Sequence, residues 1–260
     1  MSDPRDRAAA LRALHHGPDI LVLANVWDVA SATVVAGVPG VRALATASHA
    51  VAAAFGYEDG EHIPLELHLD MVARIARAVD LPVTMDMEAG YGDAGETARR
   101  AIGVGVVGGN LEDGMRPLDA SVEAVQAVVS AGRDAGVDFV LNARTDTFLH
   151  ASPDADRTGL VREAGRRGRA FLDAGACTAF VPGVVARDEI AALVEELGTG
   201  GLAVMAVPGA SPSVRELQSM GVARVSTGPF SQRVALAALQ ESTAALAAGG
   251  TLPATGYTSA

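Results

Sequence analysis

The sequence predicts a (β/α)8 (TIM) barrel. Three observations carry that expectation. Short apolar runs alternate with helical stretches from end to end, eight such runs fit within 260 residues, and polar residues crowd just where the runs end. The candidate strands are Leu21–Asn25, Ala43–Thr46, Val83–Asp86, Val107–Leu111, Phe139–Arg144, Ala179–Val181, Leu202–Ala206 and Arg224–Ser226. Most are near-continuously apolar, as parallel strands buried on both faces must be. A doubly wound sheet is the rival. No GxGxxG follows the first run, however, where Ala24-Asn25-Val26-Trp27-Asp28 stands instead.

The helices follow in order. Pro4 to Leu14 reads as an extra N-terminal helix capping the barrel bottom. Leu65, Leu69, Val72, Ile75 and Val79 recur at helical spacing, as do Val122, Val125, Val129 and Gly132. Ser211-Pro212 reads as an N-cap followed by proline at the first helical position. A last helix is expected over Pro229–Ala248. Its apolar residues Val234, Leu236, Ala237, Leu239, Ala244 and Leu246 cover more than one narrow stripe, which predicts burial on more than one side. No linker-like run divides the chain, so residues 1–248 read as a single barrel domain and 249–260 as a loose C-terminal tail.

Composition excludes several classes. With 49% hydrophobic and 20% charged residues, the chain is too apolar for disorder. All 20 basic residues are arginine, which rules out Schiff-base aldolases, pyridoxal phosphate enzymes and P-loop NTPases. A net charge of -11 argues against nucleic acid and anionic membranes as partners. No apolar run nears the ~18 residues of a membrane helix. The start, Met1-Ser2-Asp3-Pro4-Arg5-Asp6-Arg7, lacks the apolar core of a signal peptide, so the expected compartment is the cytoplasm. The single cysteine, Cys177, excludes an intrachain disulfide and any multi-cysteine zinc site. It precedes the sixth strand and is expected at the barrel bottom as a small buried apolar group.

In such barrels the chemistry sits just after the strands. Asn25 ends the first, and Thr46, Ser48 and His49 follow the second. The third delivers Asp86 and Glu88, the fourth Glu112 and Asp113, and the fifth Asn142, Arg144 and Asp146. Carboxylates crowded on one rim resist ionisation unless a cation holds them, and oxygen-only ligands select a hard cation, Mg2+ or Mn2+. The alternative is that the acids are helix N-caps, a reading that suits Asp28 and Asp113. Arg144 is the one arginine at a strand end. It fits a carboxylate or phosphate bidentately, or pairs with a neighbouring acid. His49 lies near the same rim, while His15, His16, His62, His68 and His150 read as core or surface histidines. Gly209 and Gly228 either cradle a phosphate or serve as turn glycines.

Five motifs, in order, carry a family resemblance: Asn25-Val26-Trp27-Asp28 with Thr46-Ala47-Ser48; Phe55-Gly56-Tyr57-Glu58-Asp59-Gly60; Asp86-Met87-Glu88-Ala89-Gly90-Tyr91-Gly92; Asn110-Leu111-Glu112-Asp113; and Asn142-Ala143-Arg144-Thr145-Asp146. Over roughly residues 10–245 the chain resembles the isocitrate lyase/phosphoenolpyruvate mutase superfamily. The resemblance implies a Mg2+-dependent barrel enzyme acting on small 2-oxo or 2-hydroxy acids or on phosphonopyruvate-type compounds. It also implies a homodimer or homotetramer in which the last barrel helix is exchanged between neighbours. Carried over residue by residue, it makes Asp86 the direct metal ligand and Asp59, Glu88 and Glu112 acids that hold the metal through water. Trp27 becomes an aromatic wall over the metal. Ser48 and the backbone after it grip the substrate carboxylate, and Arg144 binds substrate and offsets oxyanion charge. His49 and Asn142, from their places at the rim, are further expected substrate-binding residues.

The departures from that family are also specific. Most members have aspartate where Glu88 stands. The loop after the fourth strand reads Asp113-Gly114-Met115-Arg116-Pro117-Leu118-Asp119 and lacks the Lys-Lys-Cys-Gly-His of true isocitrate and methylisocitrate lyases. After the sixth strand Val181-Pro182-Gly183 lacks the Glu or His of many members, and after the seventh Ala203 or Ala206 stands where an asparagine is often found. The expected activity is a lyase or hydrolase that cleaves a C–C bond next to a 2-oxo or 2-hydroxy acid through an enolate. Arg144, Glu112 and Glu88 are the expected catalytic residues. P–C chemistry on a phosphonate and a catalytically silent ligand-binding barrel are the alternatives.

Overall fold

The computed structural model describes residues 3–152 and 154–256. Its strands are β1 (Leu21–Leu23), β2 (Asn25–Val26), β3 (Leu44–Thr46), β4 (Val83–Asp86), β5 (Gly108–Glu112), β6 (Val140–Arg144), β7 (Thr178–Phe180), β8 (Leu202–Met205) and β9 (Arg224–Ser226). The helices are α1 (Pro4–His15), α2 (Val29–Ala36), α3 (Ser48–Phe55), α4 (Leu65–Ala78), α5 (Ala94–Gly103), α6 (Leu118–Asp134), α7 (Arg157–Asp173), α8 (Arg187–Leu197), α9 (Val214–Ser219) and α10 (Phe230–Ala247). All strand pairs are parallel, in the order β1-β9-β8-β7-β6-β5-β4-β3-β2. This is the expected α/β barrel, nearly closed.

The expected first strand is two. Leu21 and Leu23 register with Arg224 and Ser226 of β9, whereas Asn25 and Val26 register with Ala45 and Thr46 of β3. Ala24 is the joint, because the two halves serve different neighbours at the seam. Asn25 staples that seam. Its Nδ2 donates to the Thr46 carbonyl (2.8 Å), and its Oδ1 accepts from the Thr227 and Gly228 amides (3.0 and 2.8 Å). Two helix signals resolve differently from each other. Asp28 does cap α2, in a capping box with Ser31. The cap of α9 is Ser213, not Ser211, because Glu216 closes the box with Ser213 three residues on.

The N-terminal helix plugs the bottom as expected. Leu11 is fully buried, and a Cβ on Gly108 would lie 2.8 Å from its Cδ2 and 2.7 Å from the Val140 carbonyl oxygen. Only glycine lets α1 approach this closely. Cys177 is buried nearby, in one apolar cluster with Leu11, Leu14 and Val140. Above the plug lies a polar layer. Arg224 Nη2 and Asn142 Nδ2 both donate to Asn110 Oδ1 (3.0 and 2.8 Å), and Thr178 Oγ1 donates to Asn142 Oδ1 (2.6 Å).

His15 closes α1, buried, with Nδ1 donating to the Leu11 carbonyl at 2.9 Å and Nε2 unpartnered. Burial, then the charge of Arg224, pushes its pKa down to about 3. The unfolded chain takes up that proton near pH 6.5 while the folded one does not. Stability is therefore complete above about 6.5 and lost as pH falls toward 3, at about 1.4 kcal/mol per pH unit. Between pH 7 and 5 the native protein is expected to lose about 2 kcal/mol more than His15→Leu in denaturant titrations. Equal losses would remove His15 from the acid response.

The last helix is expected to be buried on more than one side, and its own barrel covers little of it. In α10 only Gln232 is buried, while Val234, Leu236, Leu239 and Leu246 are 67%, 54%, 63% and 46% exposed. Val22 of β1 is exposed as well, so the barrel wall there lacks a covering helix. Residues 251–256 form neither helix nor strand, and the rest of the expected tail, 257–260, lies outside the described residues. Among the described residues no helix is long and apolar enough to cross a membrane.

Candidate active site

The C-terminal rim opens into a cavity of about 330 Å3. Strands β3 to β6 and their loops bring Ser48, His49, Asp59, Asp86, Asn110 and Arg144 to it.

Asp86 ends β4, where its amide donates to Thr46 Oγ1 (3.0 Å). Helix α3 starts at Ser48 with no side-chain cap of its own, and Asp86 takes that place from across the sheet. Its Oδ2 accepts from the Ser48 amide (3.2 Å) and hydroxyl (2.9 Å), a carboxylate at a helix N-terminus. The Ser48 hydroxyl also reaches Asp59 Oδ1 at 3.2 Å, and His49 Nδ1 lies 3.9 Å from Asp59 Oδ2. Asp59 and Asp86 are thus brought together through one serine.

Glu88 is held elsewhere. It has a left-handed backbone (φ 52°), is 2% exposed, and accepts from Tyr91 Oη (2.7 Å) and the Glu61 amide. His68 Nδ1 lies 2.9 Å from Tyr91 Oη. Burial raises the Glu88 pKa. Glu112 pairs with Arg144 Nη1 at 2.6 Å. Burial, joined by the charges of Asp86, Asp146 and Glu88, pushes its carboxyl up to about 8 in spite of that arginine. Arg144 Nε is taken by Asp146 Oδ1 (2.6 Å), so the guanidinium is clamped between two acids with Nη2 left for a ligand. Both readings of Arg144, ion pair and cavity cation, hold at once.

Two expected binding residues lie off the cavity. Trp27 packs with Val51, Ala52 and Ile63 under α3, where apolar burial of its ring outweighs exposure at the rim. Asn142 is wholly buried in the layer beneath the floor and supports Asn110, which does reach the cavity. Asp113 is not a cap. It accepts from Arg167 Nη1 (3.0 Å) and from the Met115 and Asp146 amides (3.0 and 3.1 Å). Arg116 donates to the Glu112 and Asp113 carbonyls (both 3.0 Å), so residues 113–117 form a closed turn pinned to α7. Gly228 lines the cavity, but its amide is already bound by Asn25.

Sequence reasoning missed Leu149, Phe180, Pro182, Met205, Phe230 and Arg233, which complete the cavity from β6 to α10. Phe180 and Met205 stand at strand ends, so position could have found them. A search for polar groups passed over them. Arg233 lies on a helix, and its guanidinium sits 5.3 Å from the Phe230 ring centre.

Among the described residues no three His, Cys, Asp or Glu side chains are close enough to form a ready-made metal cluster. The donor set of two aspartates and a hydroxyl nonetheless suits a hard cation, since Mg2+ is commonly held by one or two carboxylates with water completing its shell.

A closed parallel barrel with paired acids and a clamped arginine on its C-terminal rim is the layout of an enzyme acting on a small anionic substrate. The Phosphoenolpyruvate phosphomutase family model matches residues 11–247, and the chain belongs to that family, within the isocitrate lyase/phosphoenolpyruvate mutase superfamily of lyases and mutases. Oxaloacetate decarboxylase of Rhodopseudomonas palustris (strain HaA2) is 31% identical over 73% of this chain and 67% of its own. A Burkholderia cenocepacia J2315 structure, provisionally described as a phosphonomutase, matches with TM-score 0.85 and 38% identity over 95% of this chain and all of its own. Oxaloacetate acetylhydrolase bound to the inhibitor 3,3-difluorooxalacetate matches with TM-score 0.85 and 26% identity over 98% and 90% of the two chains.

Proposed function

We propose that this enzyme cleaves a C–C bond in a small 2-oxo or 2-hydroxy carboxylic acid, with Mg2+ or Mn2+ as cofactor. The observation that carries the reading is the Arg144 guanidinium, clamped by Glu112 and Asp146 on the same cavity as the Asp59–Ser48–Asp86 cluster. The similarity to enzymes of oxaloacetate supports the substrate class.

Asp86 would hold the metal directly and Asp59 through water, with Ser48 fixing both carboxylates. When bound, the metal supplies Lewis-acid polarisation of the substrate's carboxylate and adjacent oxygen. Arg144 Nη2 binds the same end of the substrate. When a 2-oxo diacid loses CO2, the electron pair of the broken C–C bond becomes an enolate on the fragment held there, and the fixed guanidinium offsets that charge without reorganising. When a 2-hydroxy acid is cleaved, its hydroxyl gives up a proton, the held fragment becomes the 2-oxo acid, and the electron pair leaves on the other fragment, which is then protonated. Glu88 spends both oxygens on Tyr91 and Glu61. Glu112 keeps one oxygen free beside Arg144, so it is the acid assigned to proton transfer. The turn at 113–117, tied to α7, supplies no acid or thiol to the cavity.

Oxaloacetate, alkylated 2-hydroxy diacids and phosphonopyruvate, each offered with and without Mg2+, test the reading. Metal-dependent release of a 2-oxo acid or oxalate fragment from the carbon substrates is the expected result. Turnover of phosphonopyruvate alone would replace it with P–C chemistry, and turnover unaffected by chelator would remove the metal.

We also propose that α10 packs on a second copy of this chain in a homodimer or homotetramer. Its bare apolar residues and the uncovered Val22 support that arrangement.

A further inference from the structure

The cavity is divided along the strand order. Over β3 to β6 its wall is polar and charged: Ser48, Asp59, Asp86, Asn110 and Arg144. Over β7 to β9 it turns mostly apolar, with Phe180, Pro182, Met205 and Phe230 beside Ser226 and Arg233, and Leu149 stands at the mouth.

That apolar half is built, not left over. A Cβ on Gly228 would lie 2.5 Å from Met205 Sδ, so the glycine, itself at φ 52°, lets the methionine lie across it. A Cβ on Gly183 would lie 3.2 Å from Leu149 Cδ2, so a second glycine seats that leucine. Phe180 is 5% exposed, and the Phe230 ring is braced by Arg233. Leu149 is 46% exposed, an apolar side chain with one face open at the cavity mouth.

Size points the same way. At about 30 Å3 per water the cavity has room for on the order of ten waters, whereas pyruvate or oxalate brings only six heavy atoms. They would be drawn to the charged half and leave the apolar half wet, which is unfavourable for that wall.

We propose that the substrate of this site carries an apolar arm of about three to six carbons, branched or aromatic, which lies over Phe180, Met205 and Leu149 while its 2-oxo or 2-hydroxy acid head meets Asp86 and Arg144. This rests on the reading of the site as one for 2-oxo and 2-hydroxy acids. Each fully buried methylene is worth roughly fourfold in affinity, so a three-carbon arm adds about sixtyfold if fully covered and about tenfold if half covered.

Calorimetry in the presence of Mn2+, with pyruvate, 4-methyl-2-oxopentanoate and phenylpyruvate as probes, tests it. At least one armed acid is expected to bind about tenfold or more tighter than pyruvate. Leu149→Asn and Met205→Asn are each expected to shrink that ratio to about threefold or less. Leu149 is too exposed for its replacement to unfold the barrel. If pyruvate binds and the armed acids bind no tighter, the arm is overturned and the acid-binding reading stands. If none of the three binds, that reading falls and takes the arm with it.

Discussion

Asp86→Ala is expected to weaken Mn2+ binding by about a hundredfold or more, and to cost about three orders of magnitude in turnover. Asp86 is the acid best placed for a cation. It ends a strand, it points into the cavity, and both the amide and the hydroxyl of Ser48 fix one of its oxygens. Without it, Asp59 is the one carboxylate left on the cavity wall among the described residues. The fold is expected to survive. Asp86 is partly exposed, Ser48 keeps Asp59 as a partner, and removing one acid relieves the repulsion that helps raise Glu88 and Glu112. Asp86→Asn separates charge from geometry, because the amide can still accept from Ser48. It too is expected to lose most of the metal affinity. Unchanged Mn2+ affinity in either variant, measured by titration, would remove Asp86 as the ligand.

The second large effect concerns assembly. Full-length protein is expected to run as a dimer or tetramer at micromolar concentration in light scattering, and removal of the residues after Ser226 to abolish both the oligomer and the stable barrel. Val234, Leu236, Leu239 and Leu246 are about half exposed or more on a helix whose own barrel buries only Gln232. Burying a fully exposed side chain of this kind is worth roughly 1.5–3 kcal/mol, so with about half of each still bare a free α10 forfeits on the order of 3–7 kcal/mol per chain. An exchanged helix recovers that on both protomers and ties folding to association. A gentler variant keeps the barrel intact. Leu239→Asp adds a charge to the exposed face and is expected to give a folded monomer at low concentration. A clean monomer of the unaltered protein would refute the exchange and leave α10 as a free-standing helix.

Much of the barrel was legible in the sequence because parallel strands buried on both faces must be apolar throughout. Each of the eight expected runs overlaps an observed strand, with ends shifted by a residue or two, and the first overlaps both β1 and β2. The helices at Leu65–Ala78 and Leu118–Asp134 follow from their spacing. The acids and Arg144 were legible as well, since polar groups at the ends of apolar strands have no packing reason to be there.

Their partnerships were not legible. Nothing in the spacing of Glu88, Tyr91 and Glu61 shows that the glutamate turns away to bind the other two, because that depends on the left-handed backbone at Glu88. Trp27 beside Asp28 reads as a rim residue, but the short α3 lies over it and offers an apolar bed.

The sequence by itself determined the barrel and which acids and which arginine stand at the ends of its strands, since these follow from chain-local rules of burial and period. Tertiary structure alone decided which acids share the cavity, that Arg144 is clamped between Glu112 and Asp146, that the far wall is apolar, and that α10 stands away from its own barrel. Apart from the local Arg144–Asp146 pair, each of these is a contact between residues tens of positions apart, or the lack of one. Its energy depends on where the chain places both sides, which no local pattern encodes.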